Sequence, residues 1–251
     1  MESFSALFQP QPQPRNGWTS DPLKNFRLIS PVVQNHLRLV YLTLCCALLA
    51  SSTGAYLHLL WNIGGFITSV LSLVALNFTL AVSSRNKNKK FSLLLLSALF
   101  EGASVGPLIQ LAVEIDPSIL IGALVGSALA FGCFSGAAMV ARRREYLYLG
   151  GLVSAGLSIL MWLHFGSAIF GGSMALFKFE IYFGLMVFVG YTVVDTQDII
   201  EKAHFGDLDY VKHALMLFTD FAVLFVRILV LMLKNSVDKK EKRKRRGGLS
   251  D

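Results

Sequence analysis

Charge is scarce in this chain. Only 16% of its 251 residues are Asp, Glu, Lys or Arg, against 54% hydrophobic, too little polar surface to cover a soluble core. A soluble globular domain is thereby excluded and a membrane protein implied. Cysteine is scarcer: the three, Cys45, Cys46 and Cys133, form no CxxC. Neither a disulfide framework nor a zinc site is supported, which leaves them as small residues for helix packing. A Walker loop, an HExxH helix and a GxSxG elbow are also missing. No nucleophile or metal triad assembles, so neither an enzyme nor a resident cofactor or metal is expected.

What is present is a succession of apolar runs. A bilayer core takes about 20 apolar residues per helix. Leu37–Leu60, Trp61–Val82, Phe91–Val113, Ser118–Val140 and Leu147–Phe170 supply them, followed by the less pure Phe177–Ile200 and Leu215–Leu233. The sequence predicts an all-α, polytopic integral membrane helical bundle with six or seven transmembrane helices. It divides into a leader (1–36), the bundle (37–233) and a basic tail (234–251). The leader has no apolar core ahead of a cleavage site, so the first span is the expected insertion signal. Its QPQPQP segment reads as extended chain, and Pro31 opens the first helix.

Positive charge collects in SSRNKNKK and ARRREY, while EIDPS between them is acidic. The positive-inside rule places both basic loops and the leader in the cytosol. The tail KKEKRKRR carries seven basic residues and one Glu, 7 − 1 = +6, and by the same rule is also cytosolic. Seven crossings contradict this, so the last segment either enters and returns or carries its tail across; the cytosolic tail is the favoured reading.

Two aspartates interrupt the apolar runs, and an ionisable group at membrane depth is costly unless it has a partner or a task. Asp195 and Asp220 each lie about 7.5 Å inside a span end at 1.5 Å per residue. Their midpoint falls between Asp207 and Leu208, in the polar turn HFGDLDY, so the two carboxyls are expected level on antiparallel neighbours. Such a pair shares a proton and senses pH near neutrality; the alternative is that Asp195 merely ends its span at the interface and Asp220 pairs elsewhere. Glu101 and Arg227 fall deeper and predict a buried ion pair that neutralises two charges rather than moving ions. Small-xxx-small spacing at Gly102/Gly106, Gly122/Gly126 and Gly132/Gly136 points to close helix approach. His58 and His164 read as interfacial anchors.

The basic tail residues Lys239, Lys240, Lys242, Arg243, Lys244, Arg245 and Arg246 have no aromatic interleaving, which argues against nucleic acid. Anionic membrane lipid or an acidic partner fits better, and the apolar-to-basic junction is a weak calmodulin-target signal.

DTQDIIEKAHFGDLDYVKHALMLFTDF, with NHLRLVYLTLCCALLASSTGAYLHLLWNIGG, EGASVGPLI and ARRREYLYLGG, closely resembles the Bax inhibitor-1 family, particularly its plant form. The likeness runs from Lys24 to Lys234. It implies a multi-pass protein of the endoplasmic reticulum membrane that suppresses programmed cell death and moderates calcium release and stress responses. Bacterial relatives imply seven helices around a central last one and a proton-dependent calcium leak governed by two aspartates, which match Asp195 and Asp220. In that arrangement a basic residue on the second helix engages the first aspartate. Here nothing from Trp61 to Ser84 is Lys or Arg, and Arg227 substitutes only if its side chain reaches down to the carboxyls. Plant-type members also imply calmodulin binding at the tail.

Overall fold

The computed structural model describes residues 30–82, 86–140 and 147–247, with backbone alone at 147–148 and 241–247. Seven helices follow in order: α1 Pro31–Trp61, α2 Phe66–Ala81, α3 Lys87–Ile115, α4 Pro117–Val140, α5 Leu147–Phe170, α6 Met174–His204 and α7 Tyr210–Gly247. No strand occurs among the described residues. The all-α bundle predicted from the apolar runs is what forms, and six of its helices are long and apolar enough to cross a membrane. The seventh, α2, has 16 residues, about 24 Å at 1.5 Å per residue. Large apolar side chains such as Phe66, Trp162 and Phe170 stay exposed on the outer faces, the pattern of a bundle whose surroundings are hydrocarbon.

The helix ends follow local chemistry. Ser30 caps α1, its Oγ accepting the Val33 N–H, with Pro31 in the first turn. Asn62 ends α1 in a left-handed conformation at φ 52°, where Asn is tolerated. α1, α3, α6 and α7 extend beyond the runs expected for them, because residues such as Lys87–Lys90 and Glu201–His204 continue a helix as readily as apolar residues do, whereas α2 is shorter than its run and α5 matches it.

The last helix occupies the centre: α7 packs against α1, α3, α4 and α6, while α2 packs mainly on α3 and α5 mainly on α6. In hydrocarbon, helix association rests on close packing rather than on apolar burial, and α1 meets α3 through glycines. A Cβ at Gly102 would run into the Ser51 carbonyl, and one at Gly54 into that of Leu99. Gly106 lies against the His58 ring, and Gly122 and Gly126 face Met232 and Ile228. Gly132 and Gly136, expected to pack in the same way, have nothing near them. Cys45 and Cys133 likewise face outward rather than into helix contacts.

One expectation about topology is overturned. Lys90 at the start of α3 pairs with Asp209 at the start of α7, so α1, α3 and α7 begin at one end of the bundle. α7 neither bends back nor stops at Leu233; it runs unbroken to Gly247, and Lys240 Nζ donates to the Ile115 carbonyl at the far end. Leader and tail therefore leave the bundle at opposite ends, and a cytosolic leader excludes the favoured cytosolic tail. The charge count alone ignored that the α7 backbone has no breaker between Tyr210 and Gly247. The loop ARRREY, most of the leader, and the side chains of Lys242, Arg243, Lys244, Arg245 and Arg246 lie outside the described residues.

Candidate functional site

The site is built on the α6–α7 hairpin. α6 closes at His204, and Gly206 then takes φ 93°, a left-handed backbone that glycine adopts without steric cost. Asp209 Oδ1 accepts the Lys212 N–H at 3.2 Å, the arrangement of an N-cap aspartate that satisfies an orphan donor of α7. Asp207 Oδ1 accepts the Asp209 N–H at 3.3 Å. Burial pushes the Asp207 carboxyl up, but that N–H and the fields of His213 and Lys212 outweigh it and hold it below its ordinary 3.8.

With the turn fixed, the Asp195 and Asp220 side chains come close enough to act on each other across the α6–α7 contact. The level pairing expected from their spacing about Asp207 is present. Asp195 lies nine residues before the end of α6 and Asp220 ten after the start of α7, about 14–15 Å from those helix ends, because both helices run on past the apolar residues that set the expected span ends. Asp220 is 5% exposed, and its Oδ2 has no hydrogen-bond partner. Among the described residues no Lys, Arg or His forms an ion pair with either aspartate; Lys202 on α6 pairs instead with Asp198 at 2.5 Å. Two carboxyls this close in a poorly solvated place are cheapest with one proton between them, and the field of Lys202 on α6 also reaches Asp195.

The predicted pair of Glu101 and Arg227 does not form. Glu101 Oε2 accepts the Ser72 hydroxyl at 2.6 Å. The Arg227 guanidinium donates to the Glu180 carbonyl at 3.1 Å and stacks over Phe188 at 5.1 Å. Gly184 makes room for it, since a Cβ there would collide with the guanidinium. Equal depth was a sound inference; azimuth was not available, and Glu101 turns toward α2 while Arg227 turns toward α6. Arg227 therefore does not reach the carboxyls, and among the described residues no basic side chain forms an ion pair with them in place of the partner missing from α2. His164, expected as an anchor, bonds Glu180 at 3.1 Å, and His58 is buried with Nδ1 accepting the Gly64 N–H.

Sequence reasoning missed a polar cluster at the start of α7. His36 Nε2 and His213 Nδ1 share a hydrogen bond at 2.8 Å, both rings buried, and His213 Nε2 lies 3.8 Å from Asp207 Oδ2. Beside them Lys90 and Asp209 pair at 2.5 Å, at 4% and 8% exposure. His213 sits seven residues before Asp220, on nearly the same face of α7, a seven-residue spacing that was legible but unused. A hydroxyl chain, Tyr41 to Ser135 to Thr196, crosses from α1 through α4 to α6 next to Asp195. Hydroxyls on apolar faces are its only trace in the sequence.

Residues 33–237 match the family described as Inhibitor of apoptosis-promoting Bax1. The chain belongs to that family. It is 65% identical to Bax inhibitor 1 of Arabidopsis thaliana over 239 residues, covering 95% of this chain and 96% of that protein. It is 58% identical to Bax inhibitor 1 of Oryza sativa subsp. japonica, covering 98% and 99%. With Bax inhibitor 1 of Homo sapiens it shares 36% identity, covering 89% and 96%. The family match takes in Asp195, Asp220 and the histidine pair, and ends before Lys239. The protein is thus a multi-pass membrane member of an apoptosis-inhibitor family.

Proposed function

We propose that this Bax inhibitor 1 relative resides in the endoplasmic reticulum membrane and suppresses programmed cell death by moderating calcium there. The route is a slow, pH-modulated calcium leak whose proton-sensitive gate is Asp195 with Asp220. The observation that carries this reading is the close approach of the Asp195 and Asp220 side chains between α6 and α7, with Asp220 5% exposed and neither in an ion pair among the described residues. While a proton is shared between them, it ties the two helices. Once it leaves, two like charges face each other across the helix contact, and at about 4 Å they repel by roughly 4 kcal/mol at an effective dielectric of about 20. That difference is large enough to shift a helix-packing equilibrium by about a thousandfold. Calcium is the transported ion, and carboxylate oxygen is the ligand chemistry it prefers.

The test is calcium flux from vesicles holding the purified protein, read from about pH 6 to about pH 8. Asp195→Asn and Asp220→Asn each keep a hydrogen-bonding amide but remove the titration, so the pH dependence of flux flattens in both. Unchanged pH dependence in both variants would falsify the gate.

The second reading is a non-conducting scaffold that protects by binding partner proteins. The unbroken helix through Lys239 to Gly247 favours it, because a basic helix beside an apolar one is a form in which calmodulin or anionic lipid headgroups are engaged. Calmodulin requires the tail to face the cytosol, which a reporter glycosylation site at the C-terminus decides: a modified reporter removes calmodulin and leaves lipid. Deletion of 239–246 that abolishes protection while flux stays intact moves the function from leak to binding.

A further inference from the structure

A second membrane-depth carboxylate, half-buried, lies apart from the aspartate pair. Glu101 is the central residue of the 29-residue α3, which sets it near the middle of the membrane. It lines a cavity of about 310 Å³ walled by α1, α3, α4 and α7, within the size range of small-molecule sites. The walls are apolar: Leu48, Ala55, Val105, Phe221 and Phe225 dominate them, and Glu101 is the one charged group among the described lining residues. Tyr56, Leu59 and Leu124 of the lining are exposed, so the cavity opens on the outer face of the bundle rather than at either end. An occupant enters from the surrounding hydrocarbon.

The polar groups of the cavity say which occupant fits. Ser52 spends its hydroxyl on the Leu49 carbonyl of its own helix. Glu101 Oε2 is taken by the Ser72 hydroxyl, while Oε1 has no hydrogen-bond donor among the described residues, and no Lys, Arg or His there pairs with Glu101. A carboxylate at this depth without a counter-charge is costly. A ligand that brings an ammonium and an alkyl chain supplies the counter-charge and fills the apolar space together. A carboxylate amphiphile would place like charges in contact, and an uncharged one leaves the charge uncompensated. The wall itself is rigid, since Gly102 presses directly on the α1 backbone beside Ser51.

We infer that this cavity is a binding site for a single-chain lipophilic amine, with its ammonium on Glu101 and its chain among α1, α3 and α7. The inference is independent of the calcium reading. The full chain in lipid nanodiscs is labelled with a dodecylamine carrying a diazirine in its chain, and in parallel with the matching alcohol and carboxylic acid. The amine labels peptides from Leu48–Leu59 and Phe218–Val226, and unlabelled dodecylamine competes it away. Glu101→Gln lowers that saturable labelling by about tenfold, the effect of removing one charge-assisted contact. Ala222→Phe keeps Glu101 and fills the space, and it lowers labelling as well. Equal labelling by the alcohol, labelling unchanged in E101Q, or amine labelling that survives A222F each overturns the proposal.

Discussion

At the end of the bundle that carries the α6–α7 turn, Lys90 meets Asp209 at 2.5 Å and His36 meets His213 at 2.8 Å. Toward the other end, Arg227 leans on a backbone carbonyl and the Phe188 ring, and Glu101 on a serine hydroxyl. The first region joins titratable groups to each other across α1, α3 and α7; the second hands each charge to a neutral partner on one neighbouring helix. Reciprocal pairs tie helices together and fail together, because removing one member strands the other in a poorly solvated place. Neutral partners cost little to lose. Asp195 and Asp220 belong with the first region in form, yet neither forms an ion pair among the described residues, and this sets them apart from the latch beside them.

The comparison is sharpest at Lys90. Lys90→Met removes the ion-pair partner of the buried Asp209, and destabilises by about 3–5 kcal/mol, read from unfolding in mixed detergent micelles. The double variant Lys90→Met with Asp209→Leu recovers most of that loss. If the single variant is near neutral, the latch is not what holds α3 to α7.

Next come the histidines. His36→Ala and His213→Ala each cost about 1–3 kcal/mol by leaving a buried ring without its partner, and together they cost less than their sum, because the two rings share one hydrogen bond. Strict additivity in the same unfolding measurement would separate the two rings. Arg227→Lys keeps the charge but loses the planar stack on Phe188, for about 0.5–2 kcal/mol. A loss as large as that at Lys90 would erase the distinction between the two regions.

The smallest effect is at Asp207. Its carboxyl is held below the ordinary 3.8, so in the folded state it stays ionised where the unfolded chain has taken up its proton. The stability this contributes is present above that value and is lost as pH falls through the lower, folded one. Asp207→Asn therefore weakens the acid-side fall of stability slightly and leaves neutral-pH stability nearly unchanged, since the group is substantially exposed. A steeper fall in the variant would reverse the sign.

Much of the molecule is written in local sequence terms. Apolar runs gave the seven helices because membrane-length hydrophobicity and intrahelical hydrogen bonding are both local properties. The spacing of Asp195 and Asp220 about Asp207 gave their level, since an antiparallel hairpin equates distances from its turn. The ends of the helices were less legible: Glu201–His204 look like an interface but continue α6 until Gly206 breaks it. Glu101 and Arg227 failed for another reason, because a one-dimensional depth cannot say which neighbour a helix face meets.

The sequence by itself determined that the chain is a membrane bundle of six or seven spans with an aspartate in each of the last two. Only the tertiary structure decided that neither aspartate forms an ion pair among the described residues, that His36 and Lys90 close the same end, and that the tail leaves from the opposite one. Periodicity and depth are carried along a single helix, whereas rotation and partner choice exist only once helices pack.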